Sequence, residues 1–282
     1  REMIDTFPRT HSLPKQSPLF WVTHKDRYLR QLLIEDIERE TGRSLIVYFT
    51  DCDNTTAQID QGDDVHLAEL LNGCAGQPVD LLLETNGGAT DATEKLCSIL
   101  RAMAPDLRVV VPRRAKSNGT VLTMCGQAVV LGMESELGPI DPAWGGIPVQ
   151  FILNAPSGSF GPIDVQIAMT ARMQTEKLAS QLLGTGMMQG RAPQEIDEAV
   201  KKLATRDTYH SHGSVIDHKE AASLGFKVTF LDQDSDLWKR FWLLRSMYQH
   251  DCPRSGYAKL FESSKFSTGT AVAPPPSPAP RA

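Results

Sequence analysis

The chain has 282 residues, a formal net charge of −5 at pH 7, 41% hydrophobic residues and 22% charged residues. That composition belongs to a globular protein with a sizeable core, and it lacks the basic footprint that would point to nucleic acid. Five cysteines without a C-x-x-C pair form neither a disulfide framework nor a zinc knuckle, and read as free thiols in a reducing, cytoplasmic compartment.

Residues 1–22 carry charges and prolines without an apolar run and read as an irregular N-terminal arm. No stretch approaches the roughly 18 apolar residues of a membrane span, so direct membrane insertion is not expected, which leaves room for a membrane-protein partner. A helix is predicted over 24–41, where Tyr28, Leu29, Leu32 and Leu33 share one face. A buried strand follows at 44–50 (SLIVYFT), then a short helix at 64–74 and a strand at 79–84 (VDLLLE). Further helices are predicted at 90–103, 118–126, 162–183, 193–204, 217–224 and 237–248. Strands are predicted at 107–112, 128–133 and 226–231.

Strands alternating with helices imply βαβ units, right-handed crossovers and a largely parallel sheet. Residues 23–250 therefore read as one α/β domain. Residues 251–282 read as an extension ending in a disordered, proline-rich tail (Pro274-Pro275-Pro276-Ser277-Pro278).

Ligands of parallel α/β sheets bind at the carboxyl ends of strands. Two loops there are unusual. Asn86-Gly87-Gly88 follows a strand and precedes a helix, and paired glycines let a ligand approach peptide N–H groups. Arg113-Arg114-Ala115-Lys116-Ser117-Asn118-Gly119-Thr120 does the same one strand later. A serine at a helix start is most often an N-cap. The alternative is a nucleophile whose neighbouring N–H groups face a reacting carbonyl. The run Arg113, Arg114, Lys116 reads either as a solvated loop face or as an attractor of acidic substrate groups.

The order strand, Gly-Gly, helix, strand, Ser117-Asn118-Gly119-Thr120, helix, strand, then Leu137-Gly138-Pro139-Ile140-Asp141-Pro142 resembles the Clp-protease/crotonase superfamily. More narrowly, it resembles the serine dehydrogenase proteinase family, with signal peptide peptidase A as a cousin. The likeness runs from about Leu29 to Phe230 and includes Glu220-Ala221-Ala222-Ser223-Leu224-Gly225-Phe226. It implies a Clp-like spiral of βαβ units and a serine peptidase with Ser117 as nucleophile. It also implies the N–H groups of Gly88 and Asn118 as oxyanion donors, and a homo-oligomer acting on peptide or protein substrates. Asn118 stands where the family more often has alanine.

A serine nucleophile needs a base. Clp proteases carry a histidine where this chain reads 138–142, so their triad is not copied. Two candidates stand open. Lys177 falls where signal-peptide-peptidase-like enzymes place the lysine of a Ser-Lys dyad, and needs burial to lose its proton near neutrality. His212 is the other, with Asp141 as its orienting carboxylate.

His210, His212 and His218 match no standard zinc spacing, and neither a metal nor a cofactor is expected. Two other functions fit the same scaffold. One is a crotonase-type acyl-CoA hydratase or isomerase working through Glu136 or Asp141; the other is a non-catalytic binding or assembly module.

Overall fold

A computed structural model describes residues 17–74 and 76–272 of the chain. The helices α1 (Pro18–Thr23) and α2 (Lys25–Thr41) lead into β1 (Ser44–Thr50), α3 (Asp63–Asn72), β2 (Val79–Glu84) and α4 (Thr90–Met103). Next come β3 (Leu107–Val111), β4 (Arg114–Ala115), α5 (Asn118–Thr123), β5 (Ala128–Leu131) and β6 (Glu136–Leu137). A hairpin of β7 (Ala143–Trp144) and β8 (Ile147–Pro148) precedes α6 (Val149–Asn154), α7 (Pro162–Thr185) and α8 (Pro193–Ala204). The described chain ends with α9 (His218–Ser223), β9 (Val228–Phe230), α10 (Asp236–Arg254), β10 (Tyr257–Ser263) and β11 (Ser267–Ala271).

Among the described residues the main sheet has seven strands in the order β11-β10-β1-β2-β3-β5-β9. The five from β1 to β9 are mutually parallel, and β10 and β11 run antiparallel at one side. The expected α/β class with a largely parallel sheet is what the chain forms. The inner parallel strands are largely apolar because both faces are covered, although Asp80 in β2 and Arg108 in β3 interrupt the runs and β9 is partly exposed.

Alternation assigns each residue its face. Ile46, Tyr48, Leu81, Leu83, Val109 and Val111 enter one core, whereas Val47, Phe49, Leu82 and Val110 enter another. Each new parallel strand is added on the same side of the last. Right-handed crossovers therefore put α3, α4 and α5 on one face, where Leu67, Leu96 and Val121 are buried. The opposite face is covered by α2 and α10 through Leu33, Ile37, Phe241 and Leu244.

The ends of the domain differ from expectation. Residues 18–23 are helical rather than irregular, started by Ser17, whose hydroxyl accepts from the Phe20 N–H. The sheet continues past residue 250, because β10 pairs with β1 along five residues and lies between β1 and the edge strand β11. The proline-rich stretch lies outside the described residues. No helix among the described residues is long and apolar enough to cross a membrane.

Winding in one direction brings the loops after β2 and β3 side by side. Beyond the main sheet they continue into a small ladder. Thr85 bridges Ala115, Ala115 pairs with Leu137 in β6, and Leu137 bridges Ile216. Four segments distant in sequence are thereby held together: the glycine loop, the Ser117 turn, the 137–142 loop and the 211–216 loop.

Candidate active site

Ser117 is the one non-glycine residue with positive φ among the described residues, at φ 53° and ψ −123°. Such a conformation costs on the order of 1–3 kcal/mol and persists only where the surroundings enforce it. Here they do. The Lys116 N–H donates to Thr85 O (3.0 Å), and the Gly119 N–H donates to Lys116 O (2.7 Å). The Lys116 ammonium donates to Leu137 O and Ser214 O, both at 3.1 Å, and pairs with Glu136 at 3.0 Å. The Ser117 side chain makes no capping bond to α5, so the ordinary reason for a serine at a helix start does not apply. The sharp strand-turn-helix instead has the form of a nucleophile elbow.

The glycine loop lies directly against this turn. A Cβ on Gly87 would fall 2.8 Å from the Ser117 Cβ and 3.1 Å from the Asn118 nitrogen, filling the space in front of both. A Cβ on Gly88 would meet the Ile59 backbone at 2.3 Å. Among the described residues, no backbone acceptor takes the Gly88 or the Asn118 N–H. The Asn118 side chain is engaged by the neighbouring loop. Its amide donates to Gly88 O at 2.6 Å and to Thr90 Oγ1 at 3.2 Å, tying the two loops together.

Thr120 joins the Ser-x-Gly-Thr turn to the Leu-Gly-Pro segment. Its hydroxyl lies 2.8 Å from the carbonyls of Ala115 and Gly138 and accepts the Gly138 N–H at 3.0 Å. Under the glycine loop, Glu84 is fully buried and held by Arg245 through two 2.6 Å hydrogen bonds. Burial pushes the Glu84 carboxyl above its ordinary range, and the bonds to Arg245 draw it part of the way back.

The two candidate bases sit in different surroundings. Lys177 is exposed on α7 and lines an open groove between α7 and α8 with Glu176, Asp197 and Lys201. The chain does not bury it, so the desolvation that a lysine base requires is missing. His212 is partly buried, and its Nδ1 lies 2.7 Å from Oδ1 of Asp141, which is 4% exposed. The tie from Lys116 to Ser214 holds the His212 loop beside the residue that precedes Ser117. No hydrogen bond links Ser117 to His212 among the described residues; apo sites often tighten such contacts only with substrate bound.

Sequence reading missed Arg206, whose Nε donates to the second Asp141 oxygen at 2.8 Å. It also left the basic run open, and the structure gives each member a neighbour. Lys116 is tied as above, Arg113 reaches Gln249, and Arg114 lies beside Glu136. Lys116 is thereby fixed in place, whereas Arg113 meets only a neutral amide here. The three histidines are engaged separately: His210 Nδ1 with Arg206 O, His212 with Asp141, and His218 stacked on Phe230.

A family model described as a ClpP-like SDH-type serine proteinase matches residues 57–250, well over half of the chain. This chain belongs to that family. The family match spans the glycine loop, the Ser117 turn, Asp141 and His212. Among curated proteins, the chain is 26% identical over 187 residues to the uncharacterized protein MJ0137 of Methanocaldococcus jannaschii, covering 64% of this chain and 62% of that protein. It is 30% identical over 78 residues to the uncharacterized protein MJ1495 of the same organism, covering 28% of this chain and 27% of that one. The chain thus spans less than two thirds of either relative. Among solved structures, a mutant of ClpP1 from Listeria monocytogenes covers 71% of this chain and 98% of its own, with 12% identity and a TM-score of 0.46. So distant a likeness says nothing of activity.

Proposed function

We propose that this chain is a serine peptidase that cleaves peptide bonds through an acyl-enzyme on Ser117, with His212 as general base and Asp141 as its orienting carboxylate. The observation that carries the reading is the enforced positive φ of Ser117, uncapped and beside a glycine loop, with no backbone acceptor on the Gly88 or Asn118 N–H among the described residues. With Asp141 accepting from Nδ1, the neutral imidazole keeps Nε2 unprotonated, as a base requires.

In the proposed reaction His212 takes the Ser117 proton as Oγ attacks the scissile carbonyl carbon. The Gly88 and Asn118 N–H groups stabilise the resulting oxyanion. Collapse breaks the C–N bond, and the leaving amine takes the proton from His212. Water, deprotonated by the same histidine, then releases the acyl group and restores Ser117. The chain order Ser, Asp, His differs from that of Clp proteases, but the same geometry recurs with several orders.

Lys177, exposed in the groove of α7 and α8, is not assigned a role. The crotonase alternative finds no support in Glu136, which is engaged by Lys116. Labelling with a fluorophosphonate probe tests the assignment. Wild type and Lys177→Ala label, Ser117→Ala does not, and His212→Ala labels at least about 100-fold more slowly. Loss of labelling in Lys177→Ala with full labelling in His212→Ala would reverse the choice of base.

We further propose that the chain assembles as a homo-oligomer. Trp144, Ile147 and Phe151 on the hairpin and α6, with Ile163, Met169 and Met173 on α7, are exposed apolar side chains of one structural unit. Exposed apolar groups concentrated in this way mark an interaction surface.

A further inference from the structure

Asp141 is buried and has two partners on different oxygens, His212 Nδ1 at 2.7 Å on Oδ1 and Arg206 Nε at 2.8 Å on Oδ2. Arg206 is itself fixed from several directions. Its backbone N–H donates to Gln150 Oε1 at 2.5 Å, and Gln150 holds Asp207 in turn at 2.7 Å. Its guanidinium carbon stands 5.5 Å from the centre of the Phe151 ring, and its carbonyl engages His210 Nδ1 at 3.0 Å. The Ile140 N–H donates to Leu203 O at 2.8 Å, which anchors the Asp141 loop to the end of α8, just before Arg206.

We infer that Arg206 is a positioning residue for the triad: it fixes the plane of the Asp141 carboxylate and shares its charge, so that Oδ1 stays turned toward His212 Nδ1. This rests on the serine-peptidase reading above. A buried carboxylate facing only a neutral imidazole would be poorly compensated. It would also be free to turn its Oδ1 away from Nδ1. A guanidinium on Oδ2 removes both problems and opposes protonation of the nearby ring. A lysine at 206 keeps the charge and loses the planar Nε donor.

Several of the other charged groups around the His212 loop have partners of their own, while Lys219 on α9 is exposed. Lys116 pairs with Glu136, Asp207 is bonded by Gln150, Glu220 accepts from Tyr209, and Asp217 caps α9. Arg206 is the cation that meets Asp141.

Two measurements on the full chain test the inference. The first follows the His212 ring proton by NMR against pH, in a Ser117→Ala background, with and without Arg206→Gln. Removing the guanidinium leaves the Asp141 charge to act on His212 alone. The titration midpoint then rises by about half a pH unit or more, and Arg206→Lys returns it toward the Ser117→Ala value. The second is peptide hydrolysis: Arg206→Gln lowers kcat about tenfold or more with KM little changed, and Arg206→Lys restores only part of kcat. A midpoint that is unchanged or lowered in a folded Arg206→Gln protein overturns the inference, and so does an unchanged kcat. Failure of wild type to label with fluorophosphonate is a separate result: it removes the triad itself, and with it anything for Arg206 to position.

Discussion

At Gly87 the backbone adopts φ 102°, and an added Cβ would lie 2.8 Å from the Ser117 Cβ and 2.9 Å from Lys116 O. Both the conformation and the contact exclude a side chain. Gly87→Ala is expected to cost about 1–3 kcal/mol of stability and to abolish fluorophosphonate labelling even where the protein stays folded. Thermal unfolding and labelling of the same sample check this, and full labelling would show that the loop can yield without loss of the site. The glycine loop and Ser117 were legible in the sequence because their signal is local: short motifs at the ends of apolar strands. The contact of Arg206 with Asp141 was not legible, because it exists only where α8 ends beside the Asp141 loop. The choice between Lys177 and His212 was open for the same reason. A lysine's burial depends on the packing of α7 against its neighbours, which flanking Met173 and Leu178 do not determine.

Asp217 begins the 217–223 helical turn, where its carboxylate accepts the Lys219 and Glu220 N–H groups at 2.8 and 2.9 Å. These bonds, that from Glu220 foremost, hold its carboxyl below the usual range. A depressed carboxyl contributes stability above its unfolded value, near pH 3.9, and that contribution is lost as pH falls through the folded value. Asp217→Ala should therefore lower stability by about 1 kcal/mol at pH 7, with the difference shrinking in acid; denaturant unfolding at pH 7 and pH 3 measures it. A pH-independent difference would contradict the capping role. The parallel strands were predicted to within a few residues because the inner ones are rich in apolar and β-branched residues. By contrast, β10 escaped prediction because Lys259 and Glu262 disguise it. Both are buried in the strand and compensated from afar, Lys259 by Asp63 at 2.6 Å and Glu262 by Arg30 at 2.8 Å. The β7–β8 hairpin escaped because its strands are two residues each, although Gly145-Gly146 at its tip, with φ 57° and 81°, are typical of a tight turn.

For the whole molecule, winding the sheet in one direction leaves the candidate-site loops together at one end of the strands, and residues 143–173 form a unit beside the main cores. That unit has its own small core of Val149, Ile152 and Ala168, with Leu153, Phe160, Val165 and Ala171 packed against it, while Trp144, Ile147, Phe151, Ile163, Met169 and Met173 are exposed. Sedimentation equilibrium at micromolar concentration is expected to give a mass several times that of the 282-residue chain. Met173→Lys combined with Ile163→Asp should shift it toward the monomer. A wild-type monomer would contradict the assembly proposal. The family and the sheet were readable from motif order, whereas nothing in composition or periodicity spoke of assembly.

The most direct test of the central claim is mass spectrometry of the folded wild-type chain after reaction with a fluorophosphonate. The account predicts one adduct per chain, on the peptide containing Ser117, and none after unfolding the protein before exposure to the probe. No adduct on a folded, assembled protein, or an adduct on another residue that survives Ser117→Ala, would contradict it.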